Sequence, residues 1–184
     1  MPYLIHLAVL LVISAGSLIF FLRDPERIPP KDDVILSPAD GKIIELAQEG
    51  EWTKIAVFMN FRNVHVQWAP YPGRVVSVKR IDGPAKPAFL PEAAGNKRVV
   101  STIETGLGTI LVKQIVGVLV RRIETFVKVG ENIKFGQRFG RIIFGSRVEL
   151  WLPKERVNIL SQKGQRVLAG RTILASPRPL KSDP

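Results

Sequence analysis

Gly130-Glu131-Asn132-Ile133-Lys134-Phe135-Gly136 recurs 34 positions later as Gly164-Gln165-Arg166-Val167-Leu168-Ala169-Gly170. Both copies read Gly-x-x-(Ile/Val)-x-x-Gly, and each leads into another apolar run. The glycines permit positive φ at tight corners, and the branched residue between them points inward. Two copies are too few for a solenoid. Outward from these corners lie short runs rich in Val and Ile, bounded by Gly, Pro or Asn. They are Gly41–Leu46, Lys54–Met59, Gly73–Lys79, Arg98–Ile103, Thr109–Val116, Val118–Ile123, Arg138–Phe144 and Arg147–Leu152. Such runs predict strands. Helical periodicity is missing between them, with at most a helical turn in Pro84–Ala94. The expected body is therefore mainly β and antiparallel, over residues 34–176.

The paired glycine corners resemble the hammerhead corners of barrel-sandwich folds, including biotinyl and lipoyl carriers. The expected fold is thus a barrel-sandwich-like antiparallel β domain. A carrier would present a Met-Lys-Met or Asp-Lys-Ala tip, which this chain lacks. A non-enzymatic, membrane-tethered adaptor of that fold remains an alternative reading.

Tyr3 to Leu22 contains no Asp, Glu, Lys or Arg. As a helix rising 1.5 Å per residue it would span roughly 30 Å, one hydrocarbon core. No basic residue precedes it, and it ends in Phe20-Phe21-Leu22-Arg23 without a small-x-small exit, so an uncleaved anchor over residues 1–22 is expected rather than a signal peptide. Arg23, Arg27 and Lys31 follow at once, which predicts a body on the cytoplasmic side of the cell membrane. Asp24-Pro25 through Pro29-Pro30-Lys31 reads as a stiff linker over residues 23–33, because successive prolines cannot continue a helix. Residues 177–184 read as a polar tail.

The chain of 184 residues carries 27 Lys and Arg against 16 Asp and Glu, a formal charge of +11. That surplus calls for an anionic partner. The cations are dispersed, with no zinc-finger, homeodomain or RNP-like signature, so an anionic membrane surface is expected and nucleic acid is not. With no cysteine, disulfides, thiolate nucleophiles and Cys-ligated metal sites are excluded.

Three segments carry potential chemistry: Ser37-Pro38-Ala39-Asp40-Gly41, Asn63-Val64-His65-Val66 and Phe144-Gly145-Ser146-Arg147. Each alone has a plainer reading, as a turn, a structural histidine and a turn serine. Together they offer an orienting carboxylate, a general base and a nucleophile. His65 is the only histidine outside the apolar N-terminus. Spacing along the chain says nothing about their proximity.

In order along residues 20–175, the chain resembles the phosphatidylserine decarboxylase proenzymes of short type. The segments that carry this are Phe21-x-Arg23-Asp24-Pro25-x-Arg27-x-x-Pro30, Ser37 to Lys42, Phe58-Met59 to His65-Val66, and Pro70-x-x-Gly73. They continue with Gln114-Ile115-x-Gly117-x-x-x-Arg121-Arg122-Ile123 and Gly136-x-x-x-Gly140-x-Ile142-x-Phe144-Gly145-Ser146-Arg147-Val148. The resemblance implies a zymogen that cuts itself at Gly145-Ser146 into a β chain of residues 1–145 and an α chain of residues 146–184. Ser146 would become a pyruvoyl group that condenses with the substrate amine. His65, oriented by Asp40, would take the serine proton and later serve as a proton donor.

The implied substrate is a membrane phospholipid, phosphatidylserine or its ether-linked counterpart archaetidylserine, decarboxylated to the ethanolamine lipid without a metal. Arg147, Arg121 and Arg122 are candidate binders of its anionic groups. The partners implied are the lipid and the two cleavage fragments, and a homo-oligomer is left open. The chain departs from the family pattern at Lys97, where a glutamate is common. It departs also at Arg62, where longer relatives carry a second histidine, and at Arg147, where they carry threonine.

Overall fold

The computed structural model describes residues 2–30, 33–118, 122–143 and 145–179. Among the described residues a single α-helix, α1 (Pro2–Leu22), precedes fourteen strands. Eight of the strands form one antiparallel sheet: β2 (Gly41–Glu49), β3 (Trp52–Met59), β5 (Gly73–Ile81), β6 (Arg98–Thr105), β7 (Gly108–Ile115), β9 (Asn132–Ile133), β11 (Ser146–Pro153) and β13 (Arg166–Val167). Their lateral order is β13-β2-β3-β11-β7-β6-β5-β9. Two three-stranded sheets complete the body. One is β1 (Ile35–Leu36), β14 (Ile173–Pro177) and β12 (Val157–Ile159), and the other is β4 (Val66–Trp68), β10 (Arg138–Ile142) and β8 (Ile123–Thr125). The large sheet curls into a half-barrel, as the barrel-sandwich expectation requires.

The glycine repeat decides both edges of that sheet. In each copy the only strand is a pair of residues, Asn132–Ile133 or Arg166–Val167, and one copy sits at each end of the strand order. All four bounding glycines, Gly130, Gly136, Gly164 and Gly170, have positive φ. The two copies also repeat their hydrogen bonds. Gly130 N–H donates to the Val75 carbonyl (2.7 Å) and Val75 N–H to that of Glu131 (2.9 Å); Gly164 N–H donates to Ile43 (2.8 Å) and Ile43 N–H to Gln165 (2.9 Å). Ile133 and Val167 are both buried. A short, bent edge strand of this kind leaves little free edge for pairing with other chains.

The core lies inside the curl. Ile43, Ile55, Val57, Val75, Val112, Val148 and Leu150 belong to one continuous apolar cluster, consistent with strand alternation that turns one face inward. Six of the eight expected long strands match closely. The exceptions flank residues outside the description. Val118–Ile123 is not a described strand: Val118 is irregular, residues 119–121 fall outside the description, and β8 starts only at Ile123. The expected Arg138–Phe144 ends at Ile142. The helical turn in Pro84–Ala94 appears instead as a 3-10 turn at Pro91–Gly95.

Tyr3–Leu22 is long and apolar enough to cross a membrane. Its apolar side chains are largely exposed, with Leu4 at 68% and Val12 at 72%. Its last turn meets the body through the buried Phe21, which packs on His65. The segment after the helix is pinned down rather than free. Asp24 pairs with Arg138 at 2.6 Å, and Arg27 reaches Asp40, the Ala169 carbonyl and the face of Trp68.

Candidate active site

Two chain crossings build the site. β3 ends at Met59, and the loop 60–65 carries the chain to β4. β10 ends at Ile142, and residues 143–145 carry it to β11. β4 pairs with β10, while β3 pairs with β11 and sets Ser146 opposite Met59. The Ile142 N–H donates to the carbonyl of His65 at 3.2 Å. These pairings set Ser146 beside Met59 and tie the His65 carbonyl to Ile142, four residues before Ser146.

The polar atoms there are poised rather than satisfied. Ser146 Oγ and His65 Nε2 are both buried and lack a hydrogen-bond partner, so they do not bond to one another. Orphaned buried groups are rare and costly, and they concentrate where chemistry is done. His65 Nδ1 lies 2.9 Å from the Asn63 carbonyl. That contact puts the proton on Nδ1 and leaves the Nε2 lone pair free to accept one. Phe21, at the end of α1, packs on the imidazole with ring centroids 4.3 Å apart. Burial lowers the His65 pKa from 6.5 to about 4; the Asn63 carbonyl opposes this, Arg23 adds to it, and Asp40 opposes it from a distance. At neutral pH the ring is therefore an uncharged base.

Asp40, expected to orient His65, makes no hydrogen bond to it. Its carboxylate is gripped by Arg27, at 2.5 and 3.0 Å, and by the Ala169 N–H at 2.8 Å. Both side chains are almost wholly buried. Asp40 acts on His65 only through its charge, and the Asn63 carbonyl does the orienting. Behind the histidine runs a buried amide chain. Gln67 Nε2 donates to the His65 carbonyl (2.6 Å), Gln114 Nε2 to Gln67 Oε1 (2.9 Å), and Thr125 Oγ1 to Gln114 Oε1 (3.2 Å). A fully connected network of this kind fixes backbone position.

Gly145, with φ +57°, turns the chain into β11. Its carbonyl lies hard against Gly117: a Cβ built on Gly117 would come within 1.8 Å of that oxygen. Only glycine fits there without displacement. Asn96 clamps the same stretch, donating from Nδ2 to the Val116 carbonyl at 2.8 Å. In the sequence Gly117 and Gln114 stand only within a motif, and nothing there marks Gln67, the Asn63 carbonyl or the grip of Arg27 on Asp40. A glycine between apolar β residues was the one available signal for close backbone approach.

The three candidate arginines fare differently. Arg147 follows Ser146 on β11, so it points to the opposite face of the sheet. It is buried and committed to Glu45 (2.6 Å) and Glu149 (2.8 Å). Arg122 is exposed and paired with Glu124 at 2.9 Å. Arg121 lies outside the described residues. Among the described residues no cluster of three or more His, Cys, Asp or Glu side chains forms that could hold a metal ion.

Comparison with known proteins shows the family. The sequence profile of the family described as phosphatidylserine decarboxylase matches residues 16–175. A phosphatidylserine decarboxylase proenzyme of Carboxydothermus hydrogenoformans is 40% identical over 94% of this chain and 92% of its own length. A Streptomyces avermitilis protein of the same name is 43% identical over 86% of this chain and 73% of its own. A Methanosarcina mazei protein, named as a candidate archaetidylserine decarboxylase proenzyme, is 37% identical over 96% of this chain and 83% of its own. The chain belongs to the phosphatidylserine decarboxylase family, carboxy-lyases of phospholipid synthesis made as proenzymes.

Proposed function

We propose that this chain cuts itself between Gly145 and Ser146 and thereby becomes a pyruvoyl-dependent decarboxylase of a phosphoserine lipid. The observation that supports the reading is that Ser146 Oγ and His65 Nε2 are both buried and unpartnered, on segments that the β3–β11 and β4–β10 pairings tie together. His65 Nε2 accepts the serine proton as Oγ bonds to the Gly145 carbonyl carbon. The Gly145–Ser146 C–N bond then breaks, the nitrogen takes up the proton, and the chain is joined through an ester. Loss of the Ser146 Cα proton expels the Gly145 carboxylate and leaves dehydroalanine. Tautomerisation and hydrolysis release ammonia, and a pyruvoyl group caps residue 146.

Ser146 fits that role because its alcohol is enclosed and its neighbour Gly145 has no side chain to obstruct attack. Once formed, the group supplies an electron sink for the carbanion left by CO₂. His65 is the only histidine in the body, which makes Nε2 our candidate to return a proton to the product carbon. Asp40 stabilises the imidazolium through charge while Arg27 holds it in place.

After scission the halves stay together. β11 is a central strand of the large sheet, bonded to β3 on one side and β7 on the other, so residues 146–184 cannot leave without unfolding the β chain. The apolar helix anchors the enzyme in the bilayer that holds its substrate, with Arg23 and Arg27 keeping the body on the cytoplasmic side. Phosphatidylserine and archaetidylserine share the reacting headgroup, and either satisfies this chemistry. An adaptor without chemistry is set aside by membership of a carboxy-lyase family.

The test is a denaturing gel of wild type, Ser146→Ala and His65→Ala. Wild type should run as two fragments, and both variants as one band of full length. Normal scission of Ser146→Ala would eliminate the cut site, and efficient scission of His65→Ala would remove the base.

A further inference from the structure

The large sheet has two unlike ends. Ser146 stands opposite Met59, Arg147 opposite Ile115, and Ile115 opposite Arg98. The end of β3, the start of β11, the end of β7 and the start of β6 therefore lie together, and so does the cut bond. Residues 60–65, 116–118 and 82–97 leave the sheet at this end. Their exposed large apolar side chains are Phe61 (60%), Phe89 (57%), Leu90 and Val118. At the other end the β2–β3 turn exposes Glu49, Gly50 and Glu51, and the β6–β7 turn exposes Gly106 and buries Leu107.

Two apolar hollows lie at the cut-site end. One, of about 350 Å³, is lined by Gly16, Ser17, Phe20 and Phe21 of α1 and, from the body, by Phe61. The other, of about 160 Å³, is lined by Phe58, Pro87, Ala88, Phe89, Val118 and Gly145. The Phe58 and Phe89 rings meet edge to face, with centroids 5.8 Å apart. Among the described residues no charged side chain lines either hollow. Phe126, Val129, Leu160 and Leu168 are exposed elsewhere and line neither.

The first hollow sets a depth. The helix Tyr3–Leu22 is about as long as a hydrocarbon core is thick, so Ser17 lies about 7.5 Å inside the core's edge. Phe61 shares a hollow with Ser17, so a bilayer that holds α1 reaches Phe61 as well. An arginine accompanies each aromatic side chain there. Arg23 lies over the Phe20 ring at 3.9 Å and donates to the Arg62 carbonyl, and Arg62 lies 5.5 Å from the centre of the Phe61 ring. Arginines beside such aromatics extend their charge to the headgroup layer.

We propose that this end of the large sheet docks on the bilayer that α1 crosses, with Phe61, Phe89, Leu90 and Val118 set into the boundary between headgroups and hydrocarbon. A clustered apolar surface marks a membrane or protein contact, and the hollow shared with α1 selects the membrane. So few side chains give only reversible binding, so α1 remains the anchor and the loops fix how the body sits on it. The docking rests on α1 as a membrane span. It adds an orientation to the decarboxylase reading: residue 146, the first of β11, faces the headgroup layer, and a lipid meets it without leaving the membrane.

The chain has no cysteine, so single cysteines can be introduced and labelled. Full-length Phe61→Cys, Phe89→Cys and Val118→Cys are each coupled to an environment-sensitive fluorophore and reconstituted in phosphatidylcholine vesicles. Glu51→Cys and Glu155→Cys report on the other end. Circular dichroism checks that each labelled chain keeps its β body, and flotation checks that it joins the vesicles. Lipids with a nitroxide near the top of the acyl chain should quench the labels at 61, 89 and 118 about threefold more than those at 51 and 155. Iodide on both sides of the membrane should show the reverse order. Labels at 61, 89 and 118 as open to iodide as those at 51 and 155 would overturn the docking and leave the decarboxylase reading standing. Labels shielded from iodide yet untouched by the nitroxide lipid, in chains that cross-link to one another, would assign this face to a second copy and overturn it too. A chain that does not float with the vesicles would remove the anchor and the docking together. A chain that docks as expected but is never cut would remove the earlier reading and leave this one.

Discussion

Acidifying the uncleaved Ser146→Ala protein probes the environment of His65 most sharply. The ring is 1% exposed, and burial lowers its pKa to about 4 from 6.5. The folded chain therefore binds fewer protons at this site than the unfolded chain between those values. Stability is complete above the unfolded pKa, rises with pH across the window, and is lost as pH falls through 6.5 toward 4. Over the whole window the loss is about 3 kcal/mol, of which about 2 kcal/mol falls between pH 7 and pH 5. Urea unfolding at pH 7, 6 and 5 measures it. The carboxylates also titrate near the low end, so the same series on Ser146→Ala/His65→Gln is subtracted. The same depression governs scission. At pH 5.5 about 97% of a base with a pKa of 4 is neutral, against roughly 10% at 6.5. Scission of wild-type protein made in a cell-free system should thus run at pH 5.5 nearly as fast as at pH 7. A subtracted stability difference near zero, or a scission midpoint at 6.5, would refute the burial argument.

Gly117→Ala sets a Cβ against the Gly145 oxygen and should slow scission at least tenfold while leaving a folded, full-length protein, followed by gel time course and circular dichroism. Arg27→Met strands the buried Asp40 carboxylate with only the Ala169 N–H and should destabilise the Ser146→Ala protein by about 3 kcal/mol in urea. Phe21→Ala uncovers the His65 ring and should raise its pKa toward 6.5, read from the histidine proton shifts of the Ser146→Ala protein. Deleting residues 2–17 keeps Phe21 and should move the protein from the membrane pellet to detergent-free supernatant without abolishing scission.

Fold class was legible because its determinants are local. Alternating Val and Ile between turn residues specifies long strands, and glycines at fixed offsets specify the two corners that became the sheet edges. The two-residue strands were not legible, since Ile35–Leu36 or Arg166–Val167 is too short for periodicity and is fixed by its partner. For the site, residue types and a family resemblance pointed to Asp40, His65 and Ser146 as candidates, but not to how they are held. That Arg27 takes Asp40, and that the Asn63 carbonyl takes His65 Nδ1, depends on contacts made across the fold. Likewise Gly117 looks like any strand-end glycine until the Gly145 carbonyl is seen against it.

Intact-mass measurement of the purified wild-type protein under denaturing conditions tests the central claim most directly. The account predicts two chains, one ending at Gly145 and one spanning residues 146–184. The smaller should weigh one ammonia less than the same peptide beginning with serine, and it should resist Edman sequencing. A single full-length mass, or a fragment that begins with an ordinary amino-terminal serine, would contradict it.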